Sequence, residues 1–312
     1  MEHWRDQLEI SIVHPGLWPA AAVDEKIWEH SVRTVMEDPF FKRIEVAPIT
    51  DMRRRKKLNE WLQMTNMKAG YLLQPLIFGK GYHLQSMNTA ERTLAIDGII
   101  AGMDEAVESG ADRVAIISGP NDPNGESESA LERLSDSLIL LDQAATERNL
   151  QLDLEMFDTS VDKKRFFGNS TMAKALMERL DKQTTNLSLL VDLSHIPLLD
   201  ETIEETVINT ASWLGHAHIG NCSTKLNDAR YGDKHPYFGY ANGCHGVSEL
   251  SRYLQALHNV GYWNLERKAG LGIEIMAAGD EDPGLLIAGA KRTLMEALRN
   301  VKWEVGKAGD PK

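Results

Sequence analysis

The sequence predicts an α/β chain folded as a single (β/α)8 barrel. Short apolar runs alternate with longer amphipathic stretches along its 312 residues, at roughly 35 to 40 residues per unit. The runs are rich in Ile, Leu and Val on both faces, as parallel strands covered on both sides must be. Eight β-then-α units close most simply into a barrel, a fold that needs about 250 residues and here leaves room for long loops. No Pro/Gly/Ser tract or low-complexity segment divides the chain, so residues 1–312 are read as one domain. The competing open sheet would carry a glycine-rich phosphate turn after its first strand, and HPGLWP at 14–19 is no such turn.

The strands expected from these runs are 8–14, 43–49, 70–78, 112–118, 150–157, 187–194, 214–221 and 271–276. Helices are expected at 23–37, 51–65, 91–109, 128–147, 171–182, 201–213, 246–260 and 284–300, where apolar groups recur every three or four positions. Gly110 is placed to end the third of these as a C-cap. Two connections are long: 79–90 after the third strand and 222–245 after the seventh. Both leave the C-terminal ends of strands, the face of a barrel where active sites are built.

Composition is that of a globular protein, 42% hydrophobic and 26% charged, with a formal net charge of −12. An acidic surface opposes nucleic-acid and anionic-membrane partners. Two cysteines, Cys222 and Cys244, do not make a disulfide scaffold, and no apolar run is long enough to span a bilayer. With no signal-peptide pattern at the start, a cytoplasmic location is expected.

The informative positions are ionisable residues inside apolar strands. Glu155 lies in LDLEMFD, Asp192 and His195 in LLVDLSH, His216 and His218 in GHAHIGN, and Glu274 in GIEIM. A buried carboxylate is costly unless compensated. Taken singly, each has a plain structural reading: an ion pair, a cap, or a hydrogen-bonded core histidine. Together, four neighbouring strands each deliver one such group near a C-terminal end, so Glu155, Asp192, His218 and Glu274 converge. Three carboxylates and an imidazole around one point call for a cation. Oxygen and nitrogen donors suit one divalent ion, Mn²⁺ first, with Mg, Co, Zn or Fe as alternatives.

These segments resemble the xylose isomerase-like barrel superfamily, the sugar isomerase and epimerase group. GHAHIGNC is similar to its seventh-strand segment, in which the second His of H-x-H binds the metal. The D-x-x-H of VDLSH resembles the sixth-strand pattern, with Asp on the metal and His on the sugar. The Glu of LEMFD and the Glu of IEIM stand where the remaining ligands fall. The likeness continues through HPYFG and ELSRYLQALHNVGYWN. It implies a metal-dependent isomerase or epimerase working through an enediolate, with Glu155 and Glu274 as the acid–base pair and His195 against a sugar oxygen. One departure stands out. The ketose 3-epimerases carry an N-R-x-E-like stretch soon after the fifth-strand Glu, and this chain has MFDTSVDKK instead. That keeps two alternatives open: a lyase or dehydratase on an oxidised sugar, or the barrel subunit of a C-glycoside-cleaving complex. A non-catalytic sugar-binding barrel is the third reading.

Further substrate-binding candidates are His14 and His83, and Lys225, Arg230 and His235 in the second long loop, with Lys234 beside them. Tyr237, Phe238 and Tyr240 could wall a sugar face or an aglycone. Expected partners are a small sugar or sugar derivative and, by resemblance, further copies of the chain or a second subunit.

Overall fold

The computed structural model describes residues 3–122, 127–263 and 269–303; Asn264 and the ends of the 1–312 domain lie outside them. In chain order the elements are β1 (Leu8–Val13), α1 (His14–Leu17), α2 (Glu25–Met36), β2 (Arg43–Val46), α3 (Met52–Thr65), β3 (Lys68–Leu72), α4 (Gln74–Lys80), α5 (Thr89–Glu108) and β4 (Arg113–Ile116). There follow α6 (Ser127–Glu147), β5 (Gln151–Glu155), α7 (Ser170–Leu180), β6 (Leu187–Asp192), α8 (Ile203–Thr210), β7 (Leu214–Ile219), α9 (Val247–Asn259), β8 (Ala269–Ile273) and α10 (Pro283–Asn300). Every strand pairs in parallel with the next, and β8 closes on β1, so the barrel is complete.

Local chemistry starts the helices where the sequence turns polar. The side chains of Asp24, Asp51, Asn88, Asn169, Thr202 and Asp282 each accept a first-turn backbone N–H, satisfying a donor the helix leaves open. Gly110 ends the α5 region with φ of 79°. One expected strand is too long. Residues 70–78 were expected as strand throughout, but 74–80 form α4. Short apolar runs such as YLL and PLIF have no period of their own, and Pro75 in the first turn, with φ preset and no N–H to satisfy, favours a helix start.

The main core lies between the barrel and its helices, where β-strand Ile, Leu and Val meet apolar helix faces. A second cluster is small: Val13, Leu72, Ala115 and Leu190, from four different strands, pack inside the barrel. The rest of the interior is polar. Ser11, Glu45, Asp153, Glu155, Ser188, Asp192, His216 and His218 are all buried on strands. Register sets their height: Asp192 pairs with His218 and His218 with Gly272. Two glycines on β8 make this interior possible. A Cβ on Gly270 would collide with the His216 ring, and one on Gly272 with the His218 ring and Glu45. Among the described residues no helix is long and apolar enough to cross a membrane.

Candidate metal centre and adjoining cavity

Glu155 ends β5, Asp192 ends β6, His218 is the penultimate residue of β7, and Glu274 follows β8 directly. Each offers one ligand atom, and these four atoms lie within 4.8 Å of one another. The convergence follows from the barrel: parallel strands all end on one face, and alternate residues point inward.

Each member is held from outside the group. Gln74 of α4 donates its amide N–H to Glu155 Oε2 at 2.6 Å. Asp192 Oδ1 accepts the Ser194 backbone N–H at 2.7 Å, while Asp192 Oδ2 is buried without a hydrogen-bond partner. His218 Nε2 meets Glu45 Oε2 at 2.9 Å, and its Nδ1 lies 2.9 Å from Glu274 Oε2. With Nε2–H donated to Glu45, the Nδ1 lone pair faces a carboxylate oxygen. Two acceptors at that distance need a proton or a cation between them.

The electrostatics point the same way. Burial pushes the Glu155 carboxyl up to about 8; the His195 charge opposes this, and the nearby Glu274 and Asp192 charges reinforce it. Glu274 goes the other way, to about 2, because the His235 charge and then the His218 hydrogen bond outweigh its own burial. Burial would lower the His218 imidazole, but Glu45 and Glu274 hold it well above its ordinary value. These are the effects of protein atoms alone. A divalent ion would replace the proton on His218 and favour ionised Glu155. The donor set therefore fits such an ion.

A cavity of about 430 Å³ opens above these groups, within the range of small-molecule sites. Glu155, His218, Asp233, His235 and Glu274 border it on one side. Val13, Leu72, Phe78, Phe157 and Met276 form an apolar wall, and Lys163 also lines it. Phe78 comes from α4 and meets Phe157 edge-on at 6.0 Å.

The structure brings some expected residues here and leaves others elsewhere. His235 lines the cavity. His195 sits beside the four-residue group, its Nδ1 3.8 Å from Glu155 Oε1, but does not border the cavity: its Nδ1 is bound to the Met156 carbonyl at 2.7 Å, and its Nε2 turns to Asp233 Oδ1 at 3.3 Å. His14 is a core histidine, bonded to Ser31 at 2.8 Å and stacked on Trp18. His83 lines a separate cavity of about 320 Å³ with Gln85, Arg133 and Phe166. Lys225 donates to Asn242, and Arg230 is tied to Glu281 and the Met276 carbonyl, which anchors the loop rather than freeing a cation. Lys234 pairs with Asp162. Tyr237 is 39% exposed, and Tyr240 donates to Asp228, so the apolar wall comes from Phe78 and Phe157 instead.

Sequence reasoning passed over Glu45, Gln74, Lys163 and Asp233. Glu45 carried the same signal as Glu155, an acid inside the apolar strand RIEV. Asp233 and Lys163 sit in loops, where a charged residue carries no signal.

The chain is a closed barrel with acidic and imidazole side chains gathered at the C-terminal ends of its strands. The family described as xylose isomerase-like TIM barrel matches residues 33–291, and the chain belongs to it. No curated protein sequence gives a significant match. The fold is shared with L-ribulose 3-epimerase, at a TM-score of 0.73 and 14% identity, over 97% of this chain and 100% of that one. The IOLI protein, whose structure holds a zinc atom, gives 0.71 and 13%, over 95% and 99%. The 3-keto-D-glucoside 4-epimerase YcjR of E. coli gives 0.64 and 12%, over 94% and 99%.

Proposed function

We propose that this chain is a divalent-metal-dependent sugar isomerase or epimerase that moves a proton next to a carbonyl through an enediolate. The observation that carries the reading is the approach of Glu155, Asp192, His218 and Glu274 to within 4.8 Å, with Glu155, His218 and Glu274 lining a ligand-sized cavity. A bound divalent cation, Mn²⁺ or one of its oxygen- and imidazole-binding relatives, would polarise the sugar carbonyl and stabilise the charge of the enediolate. Glu155 and Glu274 come from strands on different sides of the barrel, so a sugar carbon between them meets a carboxyl group on each side. One takes the proton and the other returns it. Gln74 fixes the free oxygen of Glu155, and the apolar wall excludes water from the reacting carbon.

That wall also supports a second reading. Phe78 and Phe157 suit a substrate with an apolar portion more than a fully hydroxylated sugar. The same proton abstraction followed by loss of a β-substituent would make the chain a lyase on an oxidised sugar, or the barrel subunit that cleaves a C-glycoside.

The test is deuterium uptake from D₂O by a panel of ketoses and 3-keto sugars with metal-loaded protein. Wild type is expected to exchange the hydrogen next to the carbonyl, and Glu155→Gln to slow this by roughly 10²- to 10⁴-fold. Exchange with no loss of a substituent gives the isomerase reading, and release of a leaving group the lyase. No exchange on any sugar overturns both.

A further inference from the structure

We propose that Cys222 and Cys244 form a reversible disulfide when the chain meets a peroxide, closing the neck of the loop that carries Asp233 and His235 to the cavity. The two cysteines stand at either end of the connection between β7 and α9, and both are free thiols. The Cys244 backbone N–H donates to the Cys222 carbonyl at 2.8 Å. A bond of that length places the two Cα atoms less than about 7 Å apart, the separation beyond which cysteines cannot be bridged without backbone movement. The thiols meet beside it, with the Cys222 S–H bonded to the Cys244 sulfur.

The neck is held on both sides of this pair. Asn221 Oδ1 accepts the backbone N–H of Cys222 at 2.9 Å and that of His245 at 2.8 Å, and its amide donates to the Tyr237 carbonyl at 3.0 Å. His245 Nδ1 lies 3.0 Å from the Gly220 carbonyl. The sulfurs therefore sit on two segments that are already paired. Joining them asks for side-chain rotation and not for a new approach of the backbone.

The two thiols differ as an attacking and a resolving cysteine differ. Cys222 is fully buried, whereas Cys244 is partly exposed. The hydrogen bond from Cys222 lowers the Cys244 thiol to about 6 against its own burial, and Thr224 Oγ1 assists at 3.7 Å. The same bond, and then burial, raise Cys222, which keeps its proton. Cys244 is thus the thiolate that a peroxide meets first. Its sulfur attacks one peroxide oxygen and the O–O bond breaks. The product is a sulfenic acid, and the departing oxygen takes a proton from water. The Cys222 sulfur then attacks the Cys244 sulfur, its proton joins the leaving hydroxyl, and water departs. Two thiols have lost two electrons and the peroxide has gained them. The closed ring contains Asp233 and His235, both of which line the cavity, so a covalent neck limits how far they can leave the mouth.

The test oxidises the full chain. Wild type, reduced and then freed of reductant, would be treated with a small excess of hydrogen peroxide and followed by thiol titration and intact mass. It is expected to lose both thiols together and two hydrogens in mass, and to yield one peptide cross-linked from 222 to 244. Dithiothreitol should restore it, and the oxidised form should melt roughly 5 °C higher. Cys222→Ser is expected to stop at a sulfenic acid on Cys244 that dimedone captures, and Cys244→Ser to leave Cys222 unreacted. Oxygen added to wild type without a cross-link, a bridge between two chains, or no reaction overturns the proposal. A cross-link that lowers the melting temperature overturns the ready-paired neck. Should either variant fail to fold, the wild-type cross-link still decides.

Discussion

The two ends of the barrel interior use the same residue types to opposite ends. Near the strand starts, charge is matched to charge. Arg113 donates Nε and Nη2 to Asp153 at 2.7 and 2.8 Å and reaches the Gly215 carbonyl, while Ser188 donates to the same carboxylate at 2.6 Å. Arg43 pairs with Asp112. Near the strand ends, unmatched atoms gather on Asp192, His195, Asp233 and His235, against Arg43 Nε and His216 Nδ1 at the other end, and Glu155 and Glu274 are driven to about 8 and about 2. A matched buried pair holds a structure together only as long as both partners remain. An unmatched group is tolerable where a ligand completes it, which is why displaced proton affinities gather at functional sites. Glu45 stands between the two ends. It takes His216 at 2.9 Å and Ser11 at 2.5 Å from the matched region and His218 at 2.9 Å from the open one.

Breaking the matched end should have the largest effect on stability. Asp153→Ala leaves the Arg113 guanidinium buried against one carbonyl, and a loss of about 3–5 kcal/mol is expected. Denaturant unfolding of the metal-free protein measures it. Glu155→Gln in the same assay should cost little or stabilise, because it removes a carboxyl whose burial is already unfavourable. Equal losses would remove the distinction between the two ends.

A smaller effect sharpens the comparison at a buried group outside the acidic cluster of the mouth. Burial holds His14 at about 4, below its ordinary 6.5. The unfolded chain therefore binds the proton first. Stability from this residue is full above about pH 6.5 and is lost as pH falls toward 4, by about 3 kcal/mol in all. His14→Asn should flatten the acid limb of the stability curve by that amount relative to wild type. An unchanged limb would mean His14 is not buried in its neutral form.

The smallest expected change is at the bridge. Glu45→Gln keeps the shape of the side chain but weakens its hold on His218 Nε2, so affinity for the divalent ion should fall about 10- to 100-fold. Competition against a chelator of known affinity reads this directly. A loss of folding instead would place Glu45 wholly with the matched end.

The sequence by itself determined the alternation of strand and helix, hence the barrel, because covering a parallel sheet on both faces demands that pattern. It also determined that Glu155, Asp192, His218 and Glu274 meet, since strands of one direction end on one face. It did not show that 74–80 turn into a helix and bring Gln74 to Glu155, because a short apolar run suits either state. Nor could it separate Asp153 from Glu155. Both lie in LDLE, two residues apart on one inward face, and only their height in the barrel pairs one with Arg113 and opens the other to the cavity. Asp233 and His235 were settled by tertiary structure alone. They reach Asp192 and His195 through a long loop whose path depends on contacts such as Arg230 with Glu281, and no local period records where such a loop comes to rest.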